Sequence, residues 1–221
     1  MTSEARKAFD QNAKDIKRLL ELHGQIGGDQ KGRRYGLEVL NKSAIVLITA
    51  FWEAYCEDIA SEGLAHLVRH AKSSDSLPLA LKRQIAAELK KDSHELAIWE
   101  VADEGWRQHL INRLDTLKSD RDKKLNTPKT GKIDELFLSA VGIEKISDAW
   151  HWPKKMTVAR STKKLDAFVT LRGSIAHRGK HSKAVTKNQV TDYFSFVKRL
   201  AAKTGGEVNK HVNAMTEVPL W

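Results

Sequence analysis

The sequence predicts an all-α fold, an up-and-down helical bundle with extra short helices, on three observations. Only four prolines occur in 221 residues. Apolar residues recur at spacings of three and four through nearly every segment, and no stretch alternates apolar with polar residues as a half-buried strand does. A chain of this length supplies one good core, so one domain is expected, its main body over residues 37–200 and an N-terminal helix over 3–23.

The first helix, Ser3 to His23, carries Phe9, Ile16, Leu19 and Leu20 on one side, and the glycine-rich stretch Gly24 to Gly36 ends it. The second, Leu37 to Lys72, is apolar on more than one face through Leu40, Ala44, Leu47, Ile48, Phe51, Trp52, Tyr55 and Ile59, which predicts a central position. A shorter helix opens near Pro78, whose missing amide hydrogen costs least in a first turn, and runs to Lys91. Asp92 or Ser93 then caps a helix from His94 to Lys118, where Trp99 and Trp106 fall on one face and are expected in the core. Beyond a basic loop from Ser119 to Lys132 come two short helices, Ile133 to Val141 with Gly142 as its stop, and Glu144 to Trp150. Ser161 or Thr162 starts a helix that buries Leu165, Phe168, Val169 and Ile175 and frays near Gly179. The final helix begins at Thr186, which with Gln189 matches a capping box, and continues to Lys203 or beyond.

The charge is concentrated. Of a formal net +10, the segment from Trp150 to Thr191 carries ten lysines and arginines against one acid, Asp166. An excess of this kind favours polyanions, nucleic acid first and an anionic membrane surface second. The membrane reading is weaker, because the bases cluster around loops and not along one helix face. The most apolar run, Ala44 to Trp52, is about half the length needed to span a bilayer, and the N-terminal residues lack the apolar stretch of a secretion signal. A single cysteine, Cys56, excludes an intrachain disulfide framework and points to a reducing compartment such as the cytoplasm.

Within the basic segment lies Arg172-Gly173-Ser174-Ile175-Ala176-His177. An imidazole moves a proton near neutral pH, and a guanidinium holds a phosphate; together they suffice to cut RNA without a metal or other cofactor. On a regular helix the two side chains sit about 140° apart and about 7.5 Å along the axis, too far around to grip one small group together, and a second subunit is one way to complete such a site. Taken alone, the pair also reads as an ordinary solvated arginine and a histidine favoured by a helix C-terminus. His66 and His70 have zinc-ligand spacing but no accompanying acid or cysteine, and an exposed helical face is the expected explanation; no metal site is assigned. Trp150 and Trp152, flanked by His151 and Lys154, are candidates for stacking on bases. Gly24 to Gly28 lacks the lysine and serine or threonine of a phosphate loop and reads as a turn.

Three segments together resemble the HEPN superfamily, and within it the RiboL-PSP-HEPN branch. Ala44 through Tyr55 is similar to that branch's long second helix with its acidic residue, here Glu53. Lys132-Ile133-Asp134-Glu135-Leu136-Phe137, ending in Val141-Gly142-Ile143, is similar to its short middle helix, and Arg172 to His177 matches the Arg-x4-6-His signature. The resemblance implies a bundle that dimerises through the signature helix, and in many members a metal-independent endoribonuclease, often a toxin or an antiviral defence effector with an antitoxin or defence-system partner. It implies Arg172 and His177 as catalytic residues, with Glu53 and Ser174 as candidate support, and the concentrated charge puts RNA along Lys154, Lys155, Arg160, Lys163, Lys164, Arg178, Lys180 and Lys183. The alternative is a noncatalytic module that holds RNA, a nucleotide or a second protein in the same groove. Gly173 departs from the polar residue that commonly follows the arginine, which favours that alternative.

Overall fold

The longest helix, α2 (Glu38–His70), buries residues around its whole circumference, from Ala44, Ile45 and Ile48 through Trp52, Cys56 and Ile59 to Leu64 and Leu67. A helix with no polar face must be wrapped by others. In this computed structural model, which describes residues 2–27, 36–119, 127–153, 156–178 and 184–221, the wrapping helices are α1 (Glu4–Gly27), α3 (Leu79–Leu89), α4 (Gly105–Ser119), α5 (Thr130–Val141), α6 (Val158–Arg178) and α7 (Lys187–Thr216). Among the described residues there is no strand, only one isolated bridge between Trp152 and Met156. None of the helices described is long and apolar enough to cross a membrane.

Polar contacts give the packing direction. Asn41 Nδ2 donates to the Val185 carbonyl at 2.9 Å, Thr49 Oγ1 meets the Tyr193 hydroxyl at 3.0 Å, and Tyr55 donates to the Ala201 carbonyl at 2.7 Å. Partners are 144, 144 and 146 residues apart, a nearly constant offset, so α2 and α7 run parallel, side by side. Helix α1 runs antiparallel to α2, with Phe9 edge-on to Tyr55 at 5.5 Å and the Ala5 amide donating to the Glu62 carboxylate. Helix α6 runs antiparallel to α7: Phe168 stacks on Tyr193 at 4.1 Å, and four residues earlier Lys164 lies over the Phe196 ring.

Glycines let these helices approach. A Cβ at Gly63 would stand 2.9 Å from Val141 Cγ1 and 3.0 Å from Val208 Cγ1, so α5 and α7 both close on α2 there. Gly142 stops α5 with φ 75°, as its sequence position suggests, and its missing Cβ leaves room for Pro78. Two carboxylates tie the shorter elements together. Asp166, the one acid of the basic segment, accepts from the Thr130 amide at 2.8 Å and caps α5, and Asp134 accepts from the amide and hydroxyl of Ser147 at 2.9 Å each.

Several boundaries depart from the sequence reading. The helix expected from His94 to Lys118 is broken into a 3-10 turn, Ala97–Val101, and α4. Asp103 adopts a left-handed φ of 49°, and a Cβ at Gly105 would lie 1.9 Å from the Glu100 carbonyl oxygen, so the chain folds back on itself where a continuous helix was expected. Trp99 consequently leaves the face of Trp106: Trp106 is buried, whereas Trp99 is 71% exposed. Glu144 to Trp150 contains only a 3-10 turn, Ile146–Ala149. Helix α6 begins earlier than expected because Thr157 supplies the cap, accepting from the Arg160 amide at 3.3 Å, while Ser161 is buried inside the helix. The capping box of Thr186 and Gln189 forms as read, and α7 runs on to Thr216.

His66 is not on an exposed face. It is 7% exposed, and its Nε2 meets Thr216 Oγ1 at 3.1 Å and the Val218 carbonyl at 2.9 Å, pinning the end of α7 to α2. No group of metal-ligating residues forms among the described residues.

Two measurements follow from this packing. Gly63→Leu should lower unfolding free energy by about 1–3 kcal/mol or more through overpacking, whereas Gly206→Ala, mid-helix with nothing within 4 Å, should raise it by about 0.5–1 kcal/mol; urea titrations compare them. Burial holds His66 below its ordinary 6.5, against the pull of the Val218 carbonyl. The native imidazole therefore resists a proton that the unfolded one accepts, so stability held above pH 6.5 falls as the pH drops from there toward the lower native value. Burial shifts His211 the same way. Replacing His66 with Gln should flatten part of that acid-side fall in urea midpoints measured across the same range.

Candidate functional site

Four chain segments meet at one end of the bundle. The end of α1 approaches the start of α7, where a Cβ at Gly24 would lie 3.9 Å from Lys187 Nζ, and the start of α2 is tied to Val185 through Asn41. The last turn of α6 comes to the same end, because α6 runs antiparallel to α7 and a short connection joins them. Arg172 and His177 both lie on α6. The side chains of His177 and Arg178 fall outside the described residues, as do Lys154, Lys155, Lys180 and Lys183.

Arg172 is half-buried, and its Nε is fully buried with no hydrogen-bond partner. Its seat is built by packing. Phe168, one turn earlier on α6, stacks face to face on Tyr193, whose hydroxyl meets Thr49. Burial pushes the Tyr193 phenol well above its ordinary range; the Thr49 hydrogen bond and the Arg172 charge pull the other way. The guanidinium thus stands in electrostatic reach of a neutral, buried phenol. A buried donor left unsatisfied costs about 1–3 kcal/mol.

The supporting residues behave differently from one another. Ser174 Oγ donates to the Thr170 carbonyl at 3.2 Å, so its proton is engaged within α6. Glu53 is half-buried one turn beyond Thr49, and among the described ion pairs none joins it to Arg172. With α6 antiparallel to α2, the two residues lie on opposite sides of the Thr49–Tyr193 contact, about 12 Å apart along the axis, each side chain leaning toward that contact. Of the described bases, Arg160 and Lys163 are exposed, while Lys164 is held at 2.7 Å by Asp192 and lies over Phe196.

Of the two stacking candidates, Trp150 belongs to the core. It is fully buried, packs edge-on against Trp52 at 5.9 Å and donates to Thr204 Oγ1 at 2.9 Å. Fusion of a large ring to a satisfied donor explains the placement, since an indole is buried readily once its N–H has an acceptor. Trp152 is half-buried against Phe196, with Arg199 over its ring, so only part of its face is open. The buried phenol near Arg172 was not anticipated, because Tyr193 and its partner Thr49 come from helices far away in the chain.

A second cavity, of about 620 Å³, lies among α2 to α5 and is lined by Glu57, His109, Arg113, Lys132 and Glu135. Its charges answer one another: Arg113 makes a bidentate contact to Glu88 at 2.7 and 2.8 Å, and Lys132 pairs with Glu135 at 2.7 Å. None of the signature residues lines it.

A helical bundle whose penultimate long helix ends in Arg-x4-His is the arrangement of the HEPN superfamily. The RiboL-PSP-HEPN family model matches residues 10–210, and the chain belongs to that family. Neither the curated proteins nor the solved structures contain a match.

The core assignment of Trp150 has a measurable consequence. Trp150→Ala should destabilise the fold by about 3–5 kcal/mol, and any loss of RNA affinity should then track the fraction unfolded, as read by parallel denaturation and filter-binding experiments.

Proposed function

We propose that this protein binds RNA across the basic end of the bundle and cleaves it as a metal-independent endoribonuclease, with Arg172 and His177 as catalytic residues supplied by two copies of the chain. The observation that carries this reading is the half-buried Arg172, five residues before a histidine and inside the segment whose ten bases and one acid account for most of the chain's net positive charge. Family membership supports it.

His177 of one copy takes the proton of a ribose 2′-hydroxyl, whose oxygen attacks the adjacent phosphate. The P–O5′ bond breaks, the leaving 5′-oxygen takes a proton from the other copy's imidazolium or from water, and a 2′,3′-cyclic phosphate remains. Arg172 stabilises the negative charge that builds on the phosphorane oxygens, an effect that grows where water is excluded. A second copy would bring together groups that their angular separation on one helix holds apart. Such an activity suits a toxin or an antiviral defence effector held in check by a partner.

A second reading, a noncatalytic module for RNA or a nucleotide, is favoured by one observation: Gly173 offers no side chain and Ser174 donates its proton to the Thr170 carbonyl, so neither brings a further free donor to a phosphate beside Arg172. One experiment separates the two. Total RNA incubated with chelator should be cut by the wild type, leaving cyclic phosphate ends, and by His177→Ala at a rate lower by about 10² to 10⁴-fold. Cutting unchanged by that substitution rejects the catalytic assignment; binding without any cutting by the wild type selects the module. In the same preparation, Lys163→Ala should reduce the slope of log affinity against log salt by about 1.

A further inference from the structure

Residues 92–104 invert the chemistry of the rest of the chain. They contain five acids, Asp92, Glu95, Glu100, Asp103 and Glu104, and no lysine or arginine, in a protein of formal charge +10. They also present three large apolar side chains to solvent: Leu96 at 54%, Ile98 at 49% and Trp99 at 71% exposed. An indole with most of its surface in water is an unfavourable resting place for the most strongly anchoring of interface residues.

The segment holds a fixed shape. Ala97 plugs into the core, the Glu100 carbonyl closes on Gly105, and Arg107 donates to the Val68 and Ala71 carbonyls at the end of α2 while pairing with Glu104 at 2.8 Å. Glu100 faces His109 at 3.6 Å, and Asp92 accepts from the His94 amide. Glu95 and Asp103 form no ion pair among the described residues. The result is an apolar ridge on an anchored turn, with two carboxylates that form no described ion pair in the same segment.

We infer that this ridge is a docking surface for a basic, amphipathic segment of a partner protein, in which an apolar side chain packs on Trp99 and flanking lysines or arginines meet Glu95 and Asp103. Charge complementarity selects the occupant. RNA and anionic lipid are repelled by the acids. A second copy of this chain would have to offer its own basic end, and that head-to-tail contact leaves both outer surfaces open, so it would propagate into a chain of copies and not close as a pair. The surface is independent of Arg172 and His177, and its fate does not depend on whether the protein cuts RNA.

The test uses the full-length protein and a synthetic helical peptide with lysines on one face and leucines on the other, beside a control in which glutamates replace the lysines. The wild type should bind the lysine peptide and not the glutamate one. Trp99→Ala should weaken that binding by about 30-fold, in the range of a hot-spot residue, and Glu95→Lys with Asp103→Lys should reverse the preference between peptides. Circular dichroism verifies that these surface variants remain folded. Failure of the wild type to bind the lysine peptide, or equal binding by Trp99→Ala, overturns the inference. So does sedimentation showing that Trp99→Ala abolishes self-association, which would give the ridge to a second copy, or a loss of RNA affinity in that variant.

Discussion

The parallel contact between α2 and α7 is the constraint on which everything else rests. Two helices of 33 and 30 residues lie side by side with a register held by Asn41, Thr49, Tyr55 and His66, each of which places a polar group against α7 or its flanking chain. Apolar packing alone allows helices to slide, since one leucine fits nearly as well as the next. Buried hydrogen bonds do not, because a one-turn slip would leave several donors and acceptors unmatched, each at a cost of about 1–3 kcal/mol. With that register set, α1 and α6 have defined grooves to fill, and both run against the central pair.

The position of Arg172 follows from this register and not from α6 alone. Tyr193 is placed by its hydrogen bond to Thr49, Phe168 is placed by stacking on Tyr193, and Arg172 follows Phe168 by one helical turn. The place of Arg172 on the bundle is thus set through three helices, within electrostatic reach of the Tyr193 phenol. The ion pair of Lys164 with Asp192 has a different character: it is partly exposed, and it binds α6 to α7 while engaging one base of the basic segment.

The helical class, the central role of α2, the stop at Gly142 and the cap at Thr186 were legible because each is a local matter of spacing, a φ angle or an i to i+3 hydrogen bond. What was not legible depends on distant residues. Trp150 reads as a loop tryptophan until Thr204 and Trp52 are known to enclose it, and His66 reads as surface until Val218 is seen to return over it. Trp99 was misplaced for a nearer reason: the apolar spacing across 94–118 suits one helix, but the close approach of Glu100 to Gly105 breaks it. Of the proposed site, the arginine and histidine were visible as a pattern, whereas the Phe168–Tyr193–Thr49 arrangement near the arginine draws on two helices far away in the chain.

A separation of about 145 residues between the two central helices has a kinetic meaning as well as a structural one. Contacts so remote in the chain are entropically expensive to close, and topologies that rely on them fold slowly for their size. During synthesis, α1 and α2 emerge long before α7 exists, so one apolar flank of α2 stays uncovered until α7 has left the ribosome. The nascent chain therefore carries a sticky intermediate for the time it takes to add the 144 residues that separate Thr49 from Tyr193.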